Sequence, residues 1–266
     1  FLKVSGNKIL IETGTYHIHE DLRIPKGFQL EIEKGTILKF APESVLISES
    51  AIIAEGVQNS PIKFTSLEDN WGGILAFDTQ GRSRFRFVNV KNTKGIGLNI
   101  NKYGLDRRGW FCTGGVTFYK AEIDLVNCFF SNSDAEDALN IVSSDFSILR
   151  SEFSNHESDA FDGDFVKGNI SDSKFIGIKG DAVDLSGSEV TIRNVLVQDV
   201  VDKGISAGEE TKLSINNSRF ENIGYGWKTF FKNEDTINCP IDKCKLLNGS
   251  LCNSTYSGDL IQISNV

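Results

Sequence analysis

Asp137-Ala138-Leu139-Asn140, Asp159-Ala160-Phe161-Asp162 and Asp181-Ala182-Val183-Asp184 recur at one constant interval, as their numbering shows. A fourth copy, Lys203-Gly204-Ile205-Ser206, follows at the same interval with a cation in place of the acid. A second column keeps the same period. Leu125, Ile148, Ile170, Ile192 and Ile215 are each followed, at a fixed offset, by Phe130, Phe153, Phe175, Val197 and Phe220. A unit this short cannot bury its apolar face alone and must stack on its neighbours. Apolar residues alternate at period two, as in Val190-Thr191-Ile192 and Leu213-Ser214-Ile215, so the units are short strands and not helices. Between them stand Ser131-Asn132, Ser154-Asn155 and Glu221-Asn222, residues that tolerate tight turns and bond their own backbone. The expected fold is all-β: a right-handed, single-stranded parallel β-helix (a solenoid) of about 22–23 residues per coil.

The amino-terminal part reads as less regular coils of the same kind. Ile9 to Ile11, Leu22 to Ile24, Leu30 to Ile32, Ile37 to Phe40, Val45 to Ile47 and Ile62 to Phe64 are brief apolar stretches separated by turn signals such as Pro25-Lys26-Gly27. With 266 residues, four Pro and no Ser, Gly or charge run long enough to be a tether, the chain is expected to be one domain. Residues 1–225 form the β-helix with a cap in the first twenty, and 226–266 an irregular carboxy-terminal coil or cap of the same domain.

The net charge of -8 and the lack of a basic stripe argue against nucleic acid as a partner. No apolar run approaches the roughly 18 residues of a membrane-spanning helix. The chain opens at Phe1 and contains no Met, the expectation for a mature or excised segment. Cys239, Cys244 and Cys252 share a polar tail with the sequons Asn248-Gly249-Ser250 and Asn253-Ser254-Thr255, which points to a secreted or cell-surface setting. Cys112 and Cys128 bring the count to five, an odd number; Cys128, beside Phe129 and Phe130, fits buried packing. His17 and His19 near the cap, and His156 in a turn, are expected at the surface.

Stacking has an electrostatic consequence. Parallel neighbours lie about 4.7 to 4.9 Å apart, which would hold Asp159 and Asp181 at that spacing with Asp137 beyond. At an effective dielectric of about 20 such a pair repels by about 3 to 4 kcal/mol. Either one acid stays protonated or a cation relieves the row. Calcium, a taker of hard oxygen ligands, suits Asp159, Asp162, Asp181 and Asp184; Lys203 on the next coil is the alternative counter-ion. Each acid also has a bland use, since Asp at the start of a strand caps turn backbone. If Leu139, Phe161, Val183 and Ile205 point inward, parity turns Ala138, Ala160, Ala182 and Gly204 outward with Asn140, Asp162, Asp184 and Ser206. That face would be a shallow polar trough. Residues 101–113 interrupt the repeat, and a protruding loop there would offer Arg107, Arg108 and Trp110, with Tyr103, to grip an acidic saccharide.

The layout, together with Ile62-Lys63-Phe64-Thr65-Ser66 and Trp71-Gly72-Gly73-Ile74, resembles the pectate-lyase-like superfamily of right-handed β-helix proteins over roughly residues 20–225. Gly114-Gly115-Val116-Thr117-Phe118-Tyr119 and Asp202-Lys203-Gly204-Ile205-Ser206 are similar to uncharacterised bacterial surface repeat proteins. In motif order the chain also resembles the polygalacturonases, which carry Asn-Thr-Asp-Gly, Gly-Asp-Asp and Gly-His-Gly on three successive coils. Here Ser158-Asp159-Ala160, Gly180-Asp181-Ala182 and Asp202-Lys203-Gly204 take those places. Asp159 and Asp181 match; Gly180 replaces an Asp, Lys203 replaces the His, and Trp227-Lys228-Thr229 stands where Arg-Ile-Lys is usual.

These resemblances imply an extracellular protein acting on an acidic, uronate-containing polysaccharide. As a hydrolase it would use Asp181 as acid and Asp159 as base. As a lyase or epimerase it would use Lys203 as base and Asp159 and Asp181 as calcium ligands. Asp137, Asn140, Asp162 and Asp184, with Arg107, Arg108 and Trp110, would bind substrate. A non-catalytic surface or glycan-binding β-helix is the alternative from another class.

Overall fold

The computed structural model describes residues 1–96, 112–208, 210–229, 236–238 and 245–247, the backbone alone from 225 onward. It is all-β, a parallel solenoid with strands in two sheets of eleven and seventeen. The larger sheet carries two columns, so each coil presents three faces. The first runs through Ile123–Val126, Asp145–Leu149, Lys167–Ser171, Glu189–Arg193 and Lys212–Asn216. The second holds Phe129–Ser131, Glu152–His156 and Lys174–Ile178; the third holds Val116–Tyr119, Asp137–Val142, Asp159–Asp164 and Asp184–Ser186. Strand Leu196–Ala207 serves the second face with its first half and the third with its last residues.

Rungs of the repeat are bonded to their neighbours in parallel register, which places residues one period apart side by side. Leu125, Ile148, Ile170, Ile192 and Ile215 are successive partners on the first face and all are buried. Phe130, Phe153, Phe175, Val197 and Phe220 are successive partners on the second. Phe153 stacks on Phe130 at 4.8 Å between ring centroids and on Phe175 at 4.9 Å. Burying a phenyl ring between two others combines area removed from water with aromatic packing.

The corners are columns too. Asn127, Arg150, Asp172, Asn194 and Asn217 turn the first face into the second with φ between 49° and 54°. Asn132, Asn155, Gly177, Asp199 and Asn222 turn the second into the third in the same left-handed conformation, which Asn, Asp and Gly tolerate best. Corner amides keep the ladder unbroken: Asn127, Arg150, Asp172 and Asn194 each donate to a carbonyl of the next rung at 2.9 to 3.0 Å. Buried serines take up other turn amides. Ser144, Ser151, Ser173, Ser188 and Ser218 accept from Ala121, Cys128, Ser151, Val166 and Val195 of the rung before, so no buried N–H need lose its partner.

At the amino end Leu2–Ser5 pairs antiparallel with Lys8–Ile11 and covers the edge of that strand on the first face. At the other end the ladder runs past residue 225. Thr236 pairs with Lys212 and Lys245 with Arg219, both longer steps than those of the regular repeat. The longer steps disguise these rungs, which is why the period vanishes from the sequence at that point. Cys128 is buried as expected, its thiol pushed up to about 12 by burial. His156 is not at the surface. It lies in strand Glu152–His156 at 2% exposure, where Nδ1 accepts from the Ser133 amide and burial lowers its pKa to about 4. Cys239, Cys244 and Cys252 lie outside the described residues.

Because Phe153 has a ring on either side, Phe153→Ala is expected to lower unfolding free energy by about 3 to 5 kcal/mol in urea titrations. A loss under about 1 kcal/mol would mean that the aromatic column is not the core of this region.

Candidate functional site

The third face and the corner leading into it carry the acids. Asp137 and Asp159 are ladder partners. The Asp159 carboxylate then reaches one rung on, where its Oδ1 accepts the Asp181 amide at 2.7 Å. Asp181 repeats the move, accepting the Lys203 amide at 3.0 Å. At Lys203 the column ends on a cation, whose Nζ lies 2.7 Å from Asp181 Oδ1 and 2.7 Å from Asp202 Oδ2. The acids are therefore backbone caps as well as a charged row.

Beside them runs a polar ladder on the outer surface of the third face: Thr117, Asn140, Asp162, Asp184 and Ser206. Asn140 donates from Nδ2 to Asp162 Oδ2 at 2.7 Å. The two columns meet where carboxylate oxygens of Asp159, Asp181 and Asp184 lie within 4.8 Å of one another. Next to this cluster is a cleft of about 400 Å³. Leu75, Phe77 and Tyr119 line one end, and Asn140, Asp162 and Asp164 the other.

Crowding away from water raises the acids unequally. Burial, with repulsion from Asp137, Asp164 and Asp184, pushes Asp162 up to about 8. Burial likewise raises Asp181 to about 7 even though Lys203 opposes it. Asp159 and Asp137 are raised to about 6, each by burial first, with the Asp181 amide and Thr113 respectively holding them back. Burial works against the Lys203 ammonium, but its bonds to Asp181 and Asp202 outweigh that and raise its pKa. A proton-abstracting lysine needs the opposite shift.

Two expectations change. Ala138, Ala160 and Ala182 are buried, at 2%, 0% and 0% exposure, and Gly204 is buried with them. Strict alternation fails because the chain is still rounding the corner at this point, so consecutive residues face inward and Asp137 and Asp181 are themselves 4% and 3% exposed. The trough floor is instead the Asn140, Asp162 and Asp184 ladder. Gly180 also gains a reason. A Cβ there would collide with Asp159 Oδ1, so the carboxylate of the previous rung fills the volume that a side chain at 180 would need.

Asp137, Asn140, Asp159, Asp162, Asp181, Asp184 and Lys203 all come together as the repeat implies. Asp164 and Tyr119 also line the cleft. Both lie in the same column, two residues beyond the recognised tetrad and its upstream equivalent. Arg107, Arg108 and Trp110 lie outside the described residues; Ile96 and Cys112, on either side of them in sequence, bridge in antiparallel fashion.

No family model matches the chain, and no curated protein matches it. Among solved structures, the periplasmic alginate epimerase AlgG is similar over 95% of this chain and 80% of its own, at 10% identity and a TM-score of 0.36. Endopolygalacturonase I from Stereum purpureum is similar over 94% of this chain and 96% of its own, at 11% identity and a TM-score of 0.34. The Streptococcus pneumoniae surface protein and adhesin PfbA is similar over 92% and 90%, at 11% identity and a TM-score of 0.27. Likenesses this distant carry no argument about this chain, whose fold rests on its own strand register.

The raised acids fix the sign of the pH dependence of stability. Carboxyls whose folded pKa lies above the unfolded value of about 3.9 bind protons more readily when folded. Their contribution is full below that value and is lost as pH rises through about 6 to 8. His156 acts oppositely, its contribution being lost as pH falls from about 6.5 through about 4. Urea midpoints without divalent cations should therefore rise from pH 8.5 to pH 5.5, and Asp162→Asn should stabilise more at the higher pH. Flat midpoints over that range would contradict the shifts. Gly180→Ala should destabilise, and should cost less when combined with Asp159→Ala; simple additivity would show that the two groups do not compete for space.

Proposed function

We propose that this chain, as a secreted or cell-surface protein, binds an acidic, uronate-containing polysaccharide in the third-face cleft and carries out proton transfer on it, as elimination or epimerisation. One observation carries the reading: two acids of strand Asp159–Asp164, Asp162 lining the cleft and Asp159 in the carboxylate cluster at the corner, are raised by burial to different values. Asp162 stays protonated to about pH 8, while Asp159 ionises above about 6. Between those limits the site holds a proton donor and a proton acceptor together, the arrangement that acid–base catalysis at neutral pH requires. The apolar end of the cleft, with Tyr119 and Phe77, gives sugar rings a surface to lie on.

Hydrolysis with inversion by Asp159 and Asp181 fits less well. That route needs carboxyls about 6.5 to 9.5 Å apart with water between them, and these two offer oxygens within 4.8 Å. Lys203, with its pKa raised and its ammonium shared by two carboxylates, suits the role of counter-ion better than that of base. Asp159, Asp181 and Asp184 would hold a calcium ion, whose charge would offset that of a uronate carboxylate. In the cation-free site Asp159 is the proton acceptor. The two uses of Asp159 exclude each other, and a chelator separates them.

A second reading has its own observation. Asp159 and Asp181 each cap the next rung's amide, so the column serves the solenoid whether or not it serves a substrate. A glycan-binding β-helix without catalysis would need no more.

Polygalacturonate, alginate and glucuronan, offered with and without chelator, should be followed by ultraviolet absorbance, reducing ends and deuterium uptake at the carbon beside the carboxyl. Absorbance or deuterium uptake is expected, with a bell-shaped rate profile whose limbs fall near the two carboxyl values, about 6 and about 8. Asp162→Asn should remove the alkaline limb and slow turnover by at least about a hundredfold. Reducing ends without absorbance would make the protein a hydrolase. Retention on the polymers with none of the three signals would leave the binding reading.

A further inference from the structure

The corner between the third face and the first presents a second groove, of about 770 Å³, on the far side of Asp164 from the acid cleft. Its spine is a column of left-handed corner residues, Lys120, Ser143, Phe165, Gly187 and Glu210. The solenoid imposes that conformation at each rung. Lys, Ser, Gly and Glu meet the demand with small or solvated side chains, but Phe165 is a bulky ring at φ 54°, where bulky residues are disfavoured. The core does not explain it, because Phe165 remains 66% exposed. Its ring lies across Gly187, and a Cβ at that position would come within 2.6 Å of it. The next rung thus leaves room for the ring to lie flat along the groove.

The charges flanking this ring alternate. Asp145, Lys167, Glu189 and Lys212 are successive ladder partners, and Lys167 Nζ lies 3.3 Å from Glu189 Oε2. Alternating signs a rung apart leave little net field along the groove, so a polyanion gains little here. What the row does offer is donors and acceptors in turn, beside an exposed aromatic face. Five successive corners at about 4.8 Å per step span roughly 19 Å, enough for an extended chain to lie along several rungs. A polyhydroxylated, uncharged chain matches each of these features: hydroxyls that both donate and accept, and apolar ring faces that stack on Phe165.

We propose that this corner groove is a binding site for a neutral polysaccharide, with Phe165 as its platform, separate from the acidic cleft. The site positions the solenoid on an uncharged polymer and takes no part in proton transfer.

Native affinity gels cast with galactomannan, xylan, hydroxyethylcellulose or dextran test it, with polygalacturonate as the charged control. Retardation is expected on at least one neutral polymer and should survive both chelator and Asp162→Asn, which separates this site from the acidic one. Phe165→Gly should weaken that retention about tenfold, and Phe165→Trp should keep it. Since glycine suits the corner, Phe165→Gly should leave the melting temperature unchanged or raise it. No retardation on any neutral polymer, retention indifferent to Phe165→Gly, or a marked fall in melting temperature would each overturn the proposal, the last by showing the ring to be packing.

Discussion

The parallel hydrogen-bond ladder between rungs is the constraint on which the rest of this molecule depends. A rung has no other partner for most of its backbone amides and carbonyls than the rungs above and below, and the spacing between them is fixed near about 4.8 Å. Register then decides chemistry. Any residue type repeated at the coil interval becomes a continuous column, whether it is an isoleucine stripe, a phenylalanine stack, a row of left-handed asparagines or a line of carboxylates. Apolar columns profit from that proximity and acidic columns suffer from it. The stacking that builds the core is therefore the cause of the electrostatic tension at the third face.

The solenoid meets that tension with several devices. On the first face, Asp145, Lys167, Glu189 and Lys212 alternate in sign, and Glu152 with Lys174 and Glu157 with Lys179 repeat the pattern at other positions. A slip by one rung would bring like charges together there, so the pairs favour one register even though exposed pairs add little stability. The third face lacks such alternation across Asp137, Asp159 and Asp181. Its acids are relieved by amides of the following rung, by Lys203 where the column stops, and by protons. A buried acid that keeps its proton near neutrality is ready to act on a ligand.

Much of this was legible in the sequence because periodicity survives without any knowledge of side-chain contacts. The aliphatic and aromatic columns, the Asn132 and Asn155 turn ladder, and the gathering of Asp137, Asp159, Asp162, Asp181 and Asp184 all follow from one interval. What the interval could not convey was where the chain bends. Alternation assumes a straight strand, and the corner at Asp137 and Ala138 turns neighbouring residues inward together, so Ala160 and Ala182 enter the core instead of flooring a trough. His156 was misplaced for a related reason: it directly follows the left-handed corner residue Asn155, and the bend there leaves its ring buried. Gly180 looked like a missing acid, whereas the preceding rung's carboxylate occupies its space. The rungs beyond 225 were hidden because their longer steps blur a count that relies on a constant interval.

Carboxyl-detected NMR titration of aspartate-labelled protein, free of divalent cations, reads the state of the acid row directly. Single Asp→Asn variants would assign the resonances of Asp159 and Asp162. Well-separated midpoints are expected, near 6 for Asp159 and near 8 for Asp162. Both carboxyls titrating together near the ordinary aspartate value of about 4 would contradict it, since the column would then be an ordinary solvated row with no proton held in reserve.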